Sequence, residues 1–160
     1  MIRAMIISAM LAGLACSGCT AQERIDGIDT GVMRGVVQFL GHEITREVIL
    51  DNGTPVVEAR VPGGFNYTLA GMACDPVSCA GMVSLVEFPD EFGMTAELAN
   101  QINGHWAAVK TVLHEGTVEF SRYDVTDGGT TTEALAASVN ALLDVTRTIM
   151  DSLLDQESQR

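Results

Sequence analysis

Apolar residues fall at helical spacing over residues 29 to 41, where Val32, Met33, Val36, Val37 and Leu40 share one face. Asp29 stands where a cap belongs, and Gly41 is placed to end the element. From residue 43 the period shortens. The stretch "EITREVIL" carries apolar residues on both faces, "DNG" supplies a positive-φ turn, and "TPVVEARV" resumes as a second strand. "PGG" turns the chain again. "FNYTLAGMA" and "GMVSLVEFP" then read as a third and fourth strand on either side of a loop that holds Cys74 and Cys79. Successive strands joined by short turns predict an antiparallel meander.

Helical spacing returns in "DEFGMTAELANQINGHW", with Thr95 as the cap, Leu98, Ile102 and Trp106 along one side, and Gly104 as the expected end. "AAVKTVLHEGTVEFSRYDV" predicts a further hairpin turning at Glu115-Gly116. The last segment has the clearest helical pattern. Thr130 and Glu133 stand at capping-box spacing, and Leu135, Val139, Leu142, Thr146, Ile149 and Leu153 recur at three- and four-residue steps, widened by Leu143 and Met150. So broad a face is expected to cover the sheet, and it is also a candidate homodimer surface. The expected class is α+β: an antiparallel meander flanked by helices in the order α-β-β-β-β-α-β-β-α.

Ahead of this domain, Arg3 is followed by "AMIISAMLAGLA" and then by small residues in "CSGCTAQE", the order of an export signal. The apolar run is too short for a lasting membrane anchor. Residues 1–21 are therefore read as a signal peptide, with two processing sites in competition. Cleavage before Cys19, which follows Ser17 and Gly18, would make Cys19 the lipid-modified residue of a bacterial lipoprotein, although Cys16 occupies the position where Leu is expected. Cleavage after Ala21 fits an ordinary signal peptidase. Residues 22–28, "QERIDGI", read as a short polar tether, and residues 29–155 as one domain. The expected location is the periplasm, or the outer membrane by way of a lipid.

Charge narrows the partners. With 21 acidic and 9 basic residues the formal charge is −12, and the only lysine is Lys110. Such a surface repels phosphate backbones and anionic headgroups, so nucleic acid is not an expected partner, and the membrane is one only through a lipid on Cys19. The acidity is also compatible with a docking face for a basic protein.

The C-x4-C pair Cys74 and Cys79 lies where two hairpin strands meet a turn, and Asp75-Pro76 is favourable turn chemistry. In an oxidising compartment such a pair is expected to close into a disulfide stabilising by roughly 2 kcal/mol in the chain-entropy model. Two alternatives stay open. A thiol–disulfide enzyme ordinarily places C-x-x-C at a helix N-terminus, and a zinc site needs four ligands where only two thiolates stand together. His42, His105 and His114 are scattered near element boundaries, and no Ser/His/Asp order occupies a nucleophile elbow. No catalytic residue, metal ligand set or cofactor is therefore assigned. Gly128-Gly129 reads as a supplier of backbone angles, since Asp124 and Asp127 would repel a phosphate there. Asp124, Asp127 and Glu133 match no EF-hand spacing for calcium.

Two stretches, "FNYTLAGMACDPVSCAGMVSLVEF" and "ELANQINGHWAAVKTVLHEGTVEFSRYDVTDGGTTTEAL", resemble the YbjN family of bacterial proteins, whose domain is similar to type III secretion chaperones. The family often has a cysteine pair between two strands. Asn103 matches an asparagine near the end of its middle helix, and Asp124, Val125, Gly128, Gly129 and Glu133 match a strand end, glycine pair and helix start. The likeness spans residues 29 to 154. The family's N-x-W-N run is replaced here by "NGHWAAV". The resemblance implies an α+β domain that binds other proteins or regulates envelope and stress behaviour, with no catalytic residues to carry over. The functional expectation is a non-enzymatic exported protein-binding module. The alternatives are a redox protein using Cys74 and Cys79 and a periplasmic binder of a small ligand or ion.

Overall fold

A computed structural model describes residues 23–157. Asp29 caps the first helix, its Oδ1 accepting from Val32 N–H at 2.8 Å. That helix, α1 (Thr30–Phe39), buries Met33, Val36 and Val37 and is followed by Gly41 at φ +70, a left-handed C-terminal position that suits glycine. Four strands come next: β1 (Glu43–Ile49), β2 (Pro55–Arg60), β3 (Asn66–Cys74) and β4 (Cys79–Pro89). Helix α2 (Ala96–His105), the hairpin β5 (Lys110–His114) and β6 (Thr117–Val125), and helix α3 (Thr132–Glu157) complete the α-β-β-β-β-α-β-β-α order. The class is α+β.

All strand pairs are antiparallel, in the order β1-β2-β3-β4-β6-β5. The meander is legible in local turn chemistry, but the insertion of β6 between β4 and β5 is not, because its partners lie far apart in the chain, from Pro89 with Thr117 to Gly81 with Val125. Helix α1 packs on β1 and β2, α3 packs on β4 and β6, and the two helices meet, so both cover one face. That face carries the core: Val57, Leu69, Met82, Val86 and Phe120 from the sheet meet Met33, Val37, Leu135, Val139 and Leu142 from the helices.

Three local expectations are corrected. Gly104 lies within α2, which runs on to His105, with Trp106 N–H bonded to the Ile102 carbonyl at 2.9 Å. Thr130 does not cap α3, because its main chain exchanges two hydrogen bonds of 2.9 Å with Ile25. The cap passes to Thr131, whose Oγ1 accepts from Ala134 N–H at 3.2 Å. Residues 25–28 do not hang free as a tether. Ile28 is wholly buried, and its N–H and carbonyl each bond Cys79 at 2.8 Å. Where β6 ends at Val125, this segment takes the next place beside β4.

Candidate functional site

The cysteine hairpin is built by its turn. Asp75 N–H bonds the Ser78 carbonyl at 2.9 Å, while Asp75 Oδ1 accepts from Val77 and Ser78 N–H at 2.7 and 2.8 Å. Those two N–H groups, Ser78's first, hold the Asp75 carboxyl below its ordinary range. Because 75 and 78 form the hydrogen-bonded pair, Cys74 and Cys79 fall on the adjacent non-bonded pair, where side chains approach most closely. The structure joins them in a disulfide. Ala73, beside the bridge, is the positive-φ non-glycine residue among those described. Cys79 is 2% exposed and lies over Gly71 and Pro55, whereas Cys74 faces solvent.

The two faces of the sheet differ. On the face opposite the helices the register sets Val48, Val56, Ala70, Val83 and Tyr123 in a row across five strands. Beside that row Met72 and Val125 flank Gly81, and Met72, Tyr123 and Val125 are 43%, 50% and 60% exposed. Gly81 is required by a close approach. A Cβ there would sit 2.6 Å from the Tyr123 hydroxyl and 2.7 Å from the Asp124 carbonyl, so glycine lets the Tyr123 ring lie across β4. A hollow of about 540 Å³ at the edge of this face is lined by Met72, Val83, Lys110, Arg122 and Tyr123, among others.

On the helix side of β6, Asp124 and Arg122 converge on α3. Ser138 Oγ donates to the Asp124 carboxylate at 2.6–2.7 Å and also meets Arg122 Nε, while Arg122 Nη1 reaches the Ala108 carbonyl at 3.2 Å. Asp124 is thus engaged in holding the strand to the helix. Gly128 and Gly129, at φ +88 and +87, shape the turn, and the Arg24 side chain packs on Gly129. Among the described residues no group of three or more His, Cys, Asp or Glu is placed to hold a metal ion.

The histidines are dispersed. His42 Nδ1 lies 3.0 Å from the Tyr67 hydroxyl, with burial lowering the His42 pKa and raising that of Tyr67. His105 meets the Trp106 ring edge-on, and His114 Nε2 lies 3.4 Å from Glu119. Asn103, singled out in the sequence only through the family likeness, accepts from Thr111 N–H at 2.6 Å and donates to the Thr111 carbonyl at 3.1 Å. Sequence reasoning missed the open-face row, because it follows from the register across five strands. Cys19 and the signal-peptide sites lie outside the described residues. No helix among those described is long and apolar enough to cross a membrane.

No family model, curated protein or solved structure matches the chain.

Proposed function

We propose that this chain is a non-enzymatic, exported protein-binding or regulatory module of the bacterial envelope, of the YbjN kind, anchored by a lipid where Cys19 is the processed residue. One observation carries the binding reading: the apolar row ending at Tyr123, with exposed Met72 and Val125 beside it, on the sheet face that α1 and α3 leave free. The leader-like N-terminus and the closed Cys74–Cys79 bond support an oxidising compartment. The partner is a protein, since a −12 chain repels nucleic acid and anionic lipid.

A photo-reactive amino acid at Met72, with one at exposed Asn140 on α3 as the control, tests this in intact envelopes. Adducts to another protein from position 72 and not from 140 are expected. Recovery of the monomer alone from both positions would overturn the reading. The thiol–disulfide alternative rests on the exposure of Cys74 next to buried Cys79. Replacing both cysteines by serine distinguishes the two, because an enzyme would lose thiol-exchange activity whereas a binding module would keep its adducts and lose only stability.

A further inference from the structure

We infer that residues 122–125 of β6 accept the carboxy-terminal tail of a partner protein as an added antiparallel strand, with the tail's terminal carboxylate beside Lys110. The inference rests on the protein-binding reading and specifies how the binding occurs.

Hydrogen-bond alternation locates the open edge. Thr126 N–H bonds the Ala80 carbonyl at 3.0 Å, so even-numbered residues at this end of β6 turn their main-chain groups to β4. Those of Tyr123 and Val125 therefore point the other way. On that side β5 reaches only to Lys110, opposite Ser121, and residues 122–125 have no strand neighbour there among the described residues. The sheet's other edges are guarded. The β1 edge bears Glu43, Arg46 and Glu47 with a register shift at Thr45, and the outward groups of Thr111 on β5 are taken by Asn103.

The open edge also has room beside it. The 540 Å³ hollow lies on its Tyr123 side, and a second of about 460 Å³ is lined by Asp124 and Val125 of the edge and by Ala134, Ala137 and Ala141 of α3, on either side of the Ser138–Asp124 hydrogen bond.

The occupant follows from charge and chain direction. Pairing two copies of this edge so that Tyr123 of one bonds Val125 of the other sets Asp124 against its own copy, an unfavourable like-charge pair in a −12 chain. A segment from another protein avoids this. Running antiparallel from Val125 toward Ser121, such a segment meets the start of β5, and a chain that terminates there needs no exit. Its terminal carboxylate then lies next to Lys110, the only lysine of the chain and one without an ion-pair partner among the described residues. Tail residues opposite Tyr123 and Val125 share their apolar face, whereas the residue between them points to the alanines and must be small.

The test is selection from a library of random heptapeptides displayed with free carboxyl termini, panned on the disulfide-intact protein. The best tail is then synthesised as free acid and as amide, and its anisotropy is titrated with wild type, K110Q, A137R and A134R. Expected are tails with apolar residues at alternate positions, roughly tenfold weaker binding on amidation or with K110Q, and loss of binding with the arginine variants at unchanged melting temperature. Two arginine positions are used so that one folded variant suffices. Failure of any tail to enrich, equal binding of acid and amide, or wild-type binding by a folded arginine variant would overturn the inference. Adducts at position 72 without tail enrichment would leave the protein-binding reading standing and remove this one.

Discussion

Asn103 closes the outer edge of β5 by offering its carboxamide to both main-chain groups of Thr111, doing what a neighbouring strand would otherwise do. Replacing it by leucine leaves a partly buried N–H and carbonyl without partners. Urea unfolding should show a loss of about 1–3 kcal/mol. The His42–Tyr67 contact makes a second residue-scale prediction. Burial lowers the His42 pKa from 6.5, so the folded protein binds fewer protons than the unfolded chain just below that value. Stability should be full above about pH 6.5 and fall as the pH drops through it toward the depressed folded value. Asp75 and Glu47, held low by main-chain N–H groups and by Arg34 respectively, contribute stability above their ordinary 3.8 and 4.5 that is lost on further acidification. His42→Gln should flatten the limb below 6.5 and keep the acid limb in thermal melts. The Asp75 turn is legible in Asp75-Pro76, whereas the partnerships of Asn103, His42 and Glu47 have no local signal, since each joins groups from separate elements.

At the scale of elements, what could be read depended on whether the signal was local. Helical period in α1 and α3, the "DNG" turn and the Glu115-Gly116 turn lie within a few residues of what they determine, and all three helices and six strands are where they point. The end of α3 shows where local signals stop. Thr130 looks like its cap, yet Ile25 claims its main chain from more than a hundred residues away. Ile28, with Ile25, is one of two apolar residues in a polar stretch, and the vacant place past Val125 explains its burial. Ile28→Ala should therefore cost about 2–4 kcal/mol in urea unfolding, where a tether residue would cost almost nothing. The cysteine hairpin is coupled to this segment through the main chain of Cys79. The double serine variant should lose about 2 kcal/mol, lowering the melting temperature by about 5–10 °C, with faster amide exchange at Ile28 as well as in the hairpin.

For the molecule as a whole, a charge of −12 sets a field that the fold must withstand. Acidic side chains are distributed over several elements, and the exposed ion pairs of Arg24 with Asp26 and Arg46 with Glu58 offset only a little of the repulsion. Added sodium chloride should raise the melting temperature from its low-salt value, as screening shortens the reach of like charges. The pairing of Ile25 with Thr130 also bears on geometry at the cell surface. Were Cys19 acylated, residues 20 to 24 alone would separate the fatty chains from the first fastened residue, a leash of at most about 20 Å. The body would then ride close against the bilayer with its Thr130 end toward the lipid, and a visiting protein would have to approach from the side or from above.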